Sequence, residues 1–465
     1  MNRLVPFTSD VFADVVGTQA MRSIWSDEAL IGQWRAVEGA IVEVQAEMGC
    51  IPAEAAREIV AKLETFPLEA VVDRRRETGH LMVAFLKAFR EHCGPAAEHF
   101  HVGPTTQDIL DTGLVRMMAE SSDVVLDRLT DLEEALCHRA LEHAETPVMG
   151  RSHAQHAVPT TFGFILAGWA QEAREHFDRL RESEKRWRVV SLSAAVGSRS
   201  AFVELGDVES ARDLERRVGE RLGLSASPIE WHARSDRLAE PVACLASFVS
   251  SLSKWALNLR WRQSSEIAET AAPYRPEEYS SSTMPIKRNP EKLEHVIGAA
   301  ALVRGYASAM ESVAVLDNRD GTRVPVQFTA LPQSYGLAHR SVETMLATIA
   351  GLEVDAEMMR RNLDHPNVLG TAAGERLMIA IYRKTGRRDW AHTTLHDCAV
   401  EAAAQGRTLR EAVAANAELA SMFSPQELDD LCDLSTYLGS APVETRETVD
   451  RLRSTRAESK PIIGT

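Results

Sequence analysis

Three long segments of this sequence share a helical spacing of apolar residues, and this feature limits the possible fold more than any other. In the first segment the apolar positions follow one another at steps of four, three, four, three and four residues; they are Leu30, Trp34, Val37, Ile41, Val44 and Met48. Such steps place every apolar side chain on one face of an α-helix. Ser26 is a suitable N-cap, and Gly49 with Pro52 ends the helix. The same spacing returns from Phe162 to Leu180 and from Val242 to Leu259.

Long helices without alternating strand segments between them predict an all-α protein whose middle third is a bundle of extended helices. Candidate boundaries lie near residue 112, after "HVGPTTQDILDT", and near residue 366, where "LDHPNVLG" interrupts the helical pattern. We therefore predict an N-terminal helical domain (1–112), a central long-helix bundle (113–365) and a C-terminal helical domain (366–465). Several helices are longer than a compact monomer needs, so we infer that helices of neighbouring subunits pack together.

Charge and hydropathy exclude two classes of partner. The net charge of −15 argues against a general nucleic-acid binder, because such proteins carry basic patches that replace the phosphate counterions. No apolar run reaches the ~18 residues that a membrane-spanning helix needs. The start "MNRLVPFTSD" also lacks the apolar stretch of a signal peptide. We therefore expect no membrane association and a cytoplasmic protein.

The cysteines and histidines give no pattern typical of a metal site. The six cysteines lie far apart and form no C-x-x-C pair, so they are expected to be free thiols in a reducing compartment. His99 with His101 and His153 with His156 form H-x-H and H-x-x-H pairs, but neither pair has a neighbouring acidic ligand. We expect neither a metal ion nor another cofactor.

Four polar segments interrupt the helical text. They are "ETGHLM" around His80, "HVGPTTQD" from His101 to Asp108, "GRSHAQH" from Gly150 to His156, and "SSSTMPIKRNP" from Ser280 to Pro290. Taken singly, each is most simply a helix cap or a solvated loop. Their joint occurrence, in this order and spacing, favours one ligand site.

Read together, these segments resemble the fumarase/aspartase superfamily, whose signature loop has the form G-S-S-x-M-P-x-K-x-N. The matching residues here are Ser281, Ser282, Met284, Pro285, Lys287 and Asn289. "ETGHLMVAF" and "HVGPTTQD" are similar to segments of adenylosuccinate lyases, and "GRSHAQHA" is similar to G-R-T-H-x-Q. The N-terminal third also resembles carboxymuconate cycloisomerases. The resemblance implies a three-domain all-α fold and a homotetramer whose active sites are shared between subunits.

The resemblance also implies a β-elimination that releases fumarate from a succinyl-type substrate. The difficult step is proton removal from the carbon next to a carboxylate, since the intermediate carries two negative charges on that carboxylate. By analogy with the family, Ser281 is the general base and Lys287 stabilises the charge. His153 serves the leaving group, and Glu294 is the acidic partner that orients this histidine.

Further residues are expected to bind the substrate. Those implied by the resemblance are Asn289, Thr105, Thr106, Gln155, Ser152, His80 and His101. The segment "DNRDGTRVPVQFTALP" resembles the family's E-R-D-x-S segment and leaves Arg319 or Arg323 to bind a small anion.

Departures from the family pattern limit the range of possible substrates. Leu81 stands where adenylosuccinate lyases have an aspartate, and Phe328 stands where they place an arginine for the substrate phosphate. Bacterial cycloisomerases tend to carry a tryptophan at the position of His153. We therefore predict a carbon–nitrogen lyase for a small N-substituted aspartate or succinate, such as nitrosuccinate or hydrazinosuccinate. A lactonising isomerase of the carboxymuconate type, an adenylosuccinate lyase and a catalytically silent structural member remain as alternatives.

Overall fold

Helices dominate the N-terminal part of the protein. The computed structural model describes residues 11–229, 232–275, 277, 281–284, 286–315, 317, 320–365 and 370–459. The first helices are α1 (Ala13–Val16), α2 (Gln19–Ile24), α3 (Asp27–Glu47), α4 (Ala53–Glu64), α5 (Leu68–Thr78), α6 (Leu81–Cys93) and α7 (Thr106–Glu142). An antiparallel hairpin of β1 (Pro147–Ser152) and β2 (Gln155–Thr161) follows α7.

The rest of the chain is also mainly helical. The middle helices are α8 (Phe162–Trp187), α9 (Ser200–Val203), α10 (Val208–Leu222), α11 (Asp236–Arg262), α12 (Glu291–Val313) and α13 (Arg323–Ala350). Two short strands, β3 (Thr270–Ala271) and β4 (Glu353–Val354), form an antiparallel pair. The C-terminal helices are α14 (Ala356–Arg361), α15 (Gly374–Thr385), α16 (Arg388–Gln405), α17 (Leu409–Ala415), α18 (Ala417–Ala420), α19 (Pro425–Cys432) and α20 (Ala441–Ser459). The predicted all-α class is confirmed.

Helix α3 forms where the apolar spacing predicted it. The Ser26 hydroxyl accepts a hydrogen bond from the Ala29 N–H at 3.1 Å, which satisfies one of the unpaired donors of the first turn. Gly49, with φ of 76°, follows the last turn and adopts the left-handed conformation that suits glycine. Trp34 and Ile41 from the predicted stripe are fully buried. The stripe thus faces the core, as expected from its period.

The chain forms two compact units, each assembled from three separate segments. The first unit contains Met1–Leu129, His176–Ser253 and His295–Glu343. The second unit contains Thr130–Glu175, Lys254–Glu294 and Thr344–Thr465. The predicted boundary near residue 112 falls within α7, and the one near residue 366 lies outside the described residues. The division into three domains stays a prediction.

Helix α11 contains a long apolar segment. By length and composition it is the one helix of the described ranges that could cross a membrane, although half of its apolar window is buried inside the protein. Core helices of soluble proteins meet the same test. Its predicted stripe from Val242 to Leu259 is buried, whereas Leu257 and Trp261 are about half exposed. One apolar face of α11 is therefore buried within the single chain, and apolar side chains on another face stay exposed.

Candidate active site

The candidate site residues His153 and Gln155 lie at the tip of the β1–β2 hairpin in the second unit. Ser152 pairs with Gln155, so His153 and Ala154 form a two-residue turn. Both turn residues have positive φ, 50° and 61°. This is the pattern of a type I′ hairpin turn, which normally selects Asn-Gly or Gly-Gly. The tip is exposed and presents Ser152, His153 and Gln155 together.

This turn explains why the sequence pattern did not predict the strands. Left-handed backbone at a residue with a Cβ costs about 1–3 kcal/mol and persists only where surrounding structure enforces it. Neither His153 nor Ala154 belongs to the residue types that announce such a turn. The expectation of no strand segments between the helices was therefore wrong at this hairpin.

The base of the hairpin is fixed by packing and by charge. Gly150 lies at a register shift, and a Cβ there would meet the Val158 carbonyl oxygen at 2.4 Å. Next to it, Arg151 donates to Glu269 at 2.8 Å. The Glu269 carboxylate is fully buried and also accepts from Arg262 and, at 3.1 Å, from Asn362. Two arginines and one amide thus satisfy a buried charge that would be costly alone.

Hydrogen bonds within the signature loop define the conformation of the chain around Ser281. The Met284 N–H donates to the Ser281 hydroxyl oxygen at 3.0 Å, and the Lys287 N–H donates to the Met284 carbonyl at 3.0 Å. Two successive turns therefore carry the serine and the lysine. Ser280 and Pro285 lie outside the described residues. The Ser281 hydroxyl is the acceptor of a backbone N–H, which is the contact that stabilises an oxygen anion.

Arg288 holds the C-terminal end of this loop. Its guanidinium makes a bidentate pair with Glu353 at 2.6 and 2.9 Å, and it donates to the Ala272 carbonyl at 2.9 Å. It also lies 5.0 Å from the centroid of the Tyr274 ring. The hydrogen bonds to Glu353 raise the pKa of Arg288, and the same contact lowers the pKa of Glu353. Taken singly, this segment was most simply a helix cap or a solvated loop, but the contacts of Arg288 fix the loop to the rest of the second unit.

Two other residues of this region have defined surroundings. Gln263 links both sides of the loop, since its amide donates to the Arg288 carbonyl and accepts from the Ala272 N–H, each at 3.0 Å. Glu294, at the start of α12, accepts from Arg260 at 2.9 Å. The pairing of Glu294 with His153 stays a prediction. Asn289 is half-buried, and Lys287 is exposed.

In the first unit, a buried Asp108 fixes the loop that carries Thr105 and Thr106. Its carboxylate accepts from the Thr105 N–H at 2.9 Å and from the Ser193 and Ala194 N–H groups at 2.9 and 3.1 Å. His232 Nε2 donates to the same carboxylate at 2.9 Å. These bonds place Thr105 and Thr106 at the N-terminus of α7, where unpaired N–H groups favour negative charge.

The histidines His80 and His101 differ in their surroundings. His80 caps α6, where its Nδ1 accepts from the Val83 N–H at 3.3 Å, and the residue is exposed. His101 has a positive φ of 59° and donates from Nδ1 to the buried Glu38 at 2.5 Å. Burial opposes the charge on His101, but the neighbouring Glu38 carboxylate outweighs it and raises the pKa.

The two arginines proposed to bind a small anion are only partly described. Arg319 lies outside the described residues. Arg323 is buried, donates to the His232 carbonyl at 2.5 Å and to the Ser235 hydroxyl at 3.2 Å, and lies 3.5 Å from Asp111. A substrate role for Arg323 stays a prediction, and its recorded contacts are internal.

Sequence reasoning missed several residues that support these loops. They are Glu38, Asp108, His232, Glu269 and Arg288. A usable signal existed for Glu38, because a carboxylate inside the apolar region of α3 is unusual and asks for a partner. The partner of Glu269 could not be read from sequence, since Arg151 lies 118 residues away. Across the described ranges, no group of three His, Cys, Asp or Glu side chains is placed to hold a metal ion.

Comparisons with known proteins cover nearly the whole chain. A family profile described as Lyase matches residues 15–305, and one described as Adenylosuccinate lyase C-terminus matches residues 370–448. The chain is 34% identical over 444 residues to adenylosuccinate lyase of Methanocaldococcus jannaschii, which covers 94% of this chain and 95% of the relative. It is 31% identical over 438 residues to N-acetyl-S-(2-succino)cysteine lyase of Dickeya dadantii, covering 93% and 94%. A solved 3-carboxy-cis,cis-muconate lactonizing enzyme from Pseudomonas putida is 30% identical with a TM-score of 0.86, covering 96% of this chain and 100% of that structure.

Proposed function

Because this chain belongs to the fumarase/aspartase superfamily of lyases, we propose that it catalyses a β-elimination that cleaves a carbon–nitrogen bond. The predicted superfamily and its lyase activity are confirmed by these similarities. The proposed substrate is a small N-substituted aspartate or succinate, and the proposed product is fumarate. Nitrosuccinate and hydrazinosuccinate are members of this substrate class.

The hydrogen bond from the Met284 N–H to Ser281 Oγ is the observation that carries this proposal. A serine removes a carbon-bound proton only as an alkoxide, and a hydrogen bond to the charged form lowers the free energy of that anion. In the proposed first step, the Ser281 alkoxide takes the proton from the carbon beside a carboxylate. The electron pair of the broken C–H bond moves onto that carboxylate.

The remaining residues of the signature loop suit the stabilisation of this intermediate. Lys287 supplies a positive charge and Asn289 supplies amide donors, and removal of one preorganised donor of this kind typically costs about 10²–10³ in rate. Thr105, Thr106 and Gln155 are proposed to hold the substrate carboxylates in one rotamer. Ser152, beside Gln155 on the hairpin, is proposed to add a further hydroxyl to this set.

In the second step, the electron pair returns to form the double bond of fumarate and the C–N bond breaks. His153, exposed on the hairpin tip, is proposed to give its proton to a departing amine. Glu294 is proposed to orient His153, and His80 and His101 are proposed to contact the leaving group. A nitrite leaving group would depart as an anion and would need less help from His153.

The proposal of a small substrate without a phosphate group is based on two positions of the first unit where an accessible arginine would be needed. Arg323 is buried and bonded internally, and Phe328 occupies the position where the purine branch has an arginine. Phosphorylated nucleotides are bound by accessible arginine forks. The names of both relatives describe substrates with a succino group, adenylosuccinate and S-(2-succino)cysteine, which agrees with a succinyl-type core.

A second candidate function is adenylosuccinate lyase itself. It is favoured by the 34% identity over 94% of the chain and by the match of the C-terminal segment. Lactonisation of carboxymuconate is the third candidate because of the 30% identity to the Pseudomonas enzyme. His153 argues against lactonisation, since a proton donor at this position serves an elimination.

We propose that the protein acts as a homotetramer in the cytoplasm, without nucleic-acid or membrane partners. The support for assembly is a set of apolar side chains left exposed on long helices of the second unit: Phe164 on α8 and Leu257 and Trp261 on α11. Leu257 and Trp261 lie four residues apart, on neighbouring turns of α11, and adjacent exposed apolar side chains of this size suit an interface with another protein surface.

The test is fumarate release from a panel of candidate substrates. The panel contains nitrosuccinate, hydrazinosuccinate, aspartate, argininosuccinate, adenylosuccinate and (2-succino)cysteine, with carboxymuconate assayed for lactone. We expect fumarate from a small nitrogen-substituted member and a loss of about 10²–10³ in kcat/KM for Ser281→Ala. Ser282→Ala is the matched control, because this neighbouring hydroxyl is exposed and should retain activity.

Each other outcome selects a different function. Fumarate from adenylosuccinate with no product from the small substrates supports the second candidate. Lactone without fumarate moves the protein to the isomerase branch. No product from any substrate, with folded protein, contradicts the proposed activity and favours the silent structural alternative.

A further inference from the structure

We propose that Glu38 is a positioning residue that holds His101 as an imidazolium ion, with its Nε2 free to donate to the leaving-group half of the substrate. This inference deepens the proposed function and rests on it for the identity of the bound ligand. It adds a preference at that end of the site: the departing group should be anionic or rich in lone pairs. A positively charged departing group would be repelled.

The contact between the two side chains is buried and short. Glu38 lies on α3 with 0% of its side chain exposed, and His101 Nδ1 donates to its Oε1 at 2.5 Å, with 12% of the His101 side chain exposed. The other oxygen, Oε2, is buried and has no hydrogen-bond partner among the described residues. An ionised carboxylate without a counter-charge is very costly at such a depth. His101 supplies that counter-charge here.

The backbone around His101 is held in an unusual conformation by the same helix. His101 has φ of 59°, in the left-handed region where a residue with a Cβ is strained. The next residue, Val102, accepts from the buried Gln45 side chain at 2.7 Å. Glu38 and Gln45 are seven residues apart, so they lie on one face of α3 two turns apart. One face of α3 therefore orients two consecutive residues of the loop.

Gly103 completes this arrangement. Its φ is 99°, and a Cβ there would approach the Phe202 ring to 2.6 Å. The loop from His101 to Gly103 thus fits a fixed space between α3 and α9. This packing fixes the position of the His101 ring. Strain that is maintained by specific partners is typical of functional positions.

The charges around His101 favour the protonated ring. Burial disfavours the cation, and Arg90 repels it, whereas Glu38 and Asp108 attract it; the net effect raises the pKa of His101. A protonated imidazole donates from both nitrogens. Nδ1 is used on Glu38, and Nε2 has no hydrogen-bond partner among the residues the structure describes. Nε2 is therefore the atom available to a ligand.

The experiment measures the protonation of His101 directly. Hydrogen–deuterium exchange at the imidazole C2 position, read by peptide mass spectrometry across a pH series, gives a titration midpoint for each histidine without substrate. In the wild type we expect the His101 midpoint above the ordinary value of about 6.5. In Glu38→Gln, which keeps a hydrogen-bond acceptor but removes the charge, the midpoint should fall by about 1–3 pH units.

Two further variants keep the test decisive. Glu43→Gln, on the exposed side of the same helix, is the matched control and should leave the His101 midpoint unchanged. Glu38→Asp retains the charge and should keep the midpoint above that of Glu38→Gln. If Glu38→Gln does not fold, the wild-type midpoint and Glu38→Asp decide the question. A wild-type midpoint at or below about 6.5, or the same midpoint with and without the charge, overturns the proposal.

Activity gives a second readout. With the substrate found in the panel, kcat/KM of Glu38→Gln should fall about tenfold or more, and the alkaline limb of its pH profile should move to lower pH because His101 then loses its proton earlier. Glu38→Asp should recover part of both. A Glu38→Gln enzyme with an unchanged alkaline limb contradicts the positioning role. A wild type that releases no fumarate overturns the proposed function, whereas the exchange midpoint still decides whether Glu38 holds His101 charged.

Discussion

At the scale of single residues, Ala154 shows how the hairpin tip fixes the position of its neighbour His153. Ala154 has a φ of 61° in a two-residue turn, and no glycine relieves the strain. The register between Ser152 and Gln155 nevertheless requires this backbone. Strain at the turn is therefore maintained by the strands and by the buried ion pairs at their base.

Replacing Ala154 with glycine should stabilise the protein. Left-handed backbone at a residue with a Cβ costs about 1–2 kcal/mol, and glycine removes this cost. Glycine also gives the unfolded chain more conformational freedom, which lowers the stability by about 0.4–1 kcal/mol and so cancels part of the gain. We expect the free energy of unfolding to rise by about 0.5–1 kcal/mol, measured by urea denaturation at fixed protein concentration. Ala157→Gly in the extended strand β2 is the control and should lower it by a similar amount. A loss of stability in Ala154→Gly would contradict the left-handed turn.

Residue identities in the signature loop could be named from sequence, but their contacts could not. Ser281, Lys287 and Asn289 stood out because they match a family pattern in a fixed order. Glu38 and Arg288 did not, because each acts through a partner distant in the chain: His101 lies 63 positions from Glu38 and Glu353 lies 65 from Arg288. Such pairs depend on tertiary packing, which local spacing does not report.

At the scale of elements, the signature loop is a short irregular segment fixed at one end. Arg288 binds Glu353 on β4, the Ala272 carbonyl and the face of Tyr274. Each contact is modest, because paired charges near the surface contribute about 0–1 kcal/mol. Together they set the direction in which the chain leaves Lys287.

Arg288→Ala should therefore affect catalysis more than stability. We expect kcat/KM for fumarate release to fall at least about tenfold through misplacement of Ser281 and Lys287, while the free energy of unfolding changes by less than about 1 kcal/mol. Arg275→Ala, an exposed arginine of the same loop region, should leave both unchanged. Equal losses in the two variants would show that loop charge, and not the Glu353 contact, is responsible.

The helices followed from their apolar period, whereas the hairpin did not. The stripes beginning at Leu30, Phe162 and Val242 each correspond to one helix, α3, α8 and α11. The hairpin carries its chemistry on a turn without glycine, and its strands are only partly buried. A weak alternation and an atypical turn left no local signal for β1 and β2.

At the scale of the whole molecule, the exposed apolar residues of α11 lead to a prediction about the oligomeric state of the protein. We expect Leu257→Asp to dissociate the proposed homotetramer into smaller species, because it places a charge in an apolar contact. Native mass spectrometry and light scattering after size exclusion measure the outcome. Val208→Asp on α10 is the control, since Val208 is 51% exposed and Leu257 is 52% exposed. Both variants remaining tetrameric would place the interface elsewhere.

Shared active sites make a separate prediction. Ser281→Ala and His153→Asn subunits, each inactive alone, should recover activity when mixed in one tetramer, because a site can then take its serine from one chain and its histidine from another. Random assembly at equal amounts gives about a quarter of sites with both residues intact. Mass spectrometry verifies the mixed tetramers. Verified mixtures without recovered activity would show that both residues come from one chain.

The arrangement of chain segments was the least predictable property. The sequence pattern predicted boundaries near residues 112 and 366, and this division stays a prediction. What the pattern did not indicate is that each compact unit takes three segments that alternate along the chain. The apolar spacing along a helix predicts which of its faces is buried, but it does not indicate which distant helix packs against that face.

These alternating segments have a consequence for how the protein is made. The first unit needs residues up to Glu343 and the second needs the C-terminal helices, so neither can close while most of the chain is still to be translated. A nascent chain leaving the ribosome therefore exposes parts of each unit before the later segments of that unit have been translated. Exposed apolar surface of this kind makes incompletely folded chains prone to aggregation. For the same reason, no single cut in the gene separates the two units, because their segments alternate along the chain.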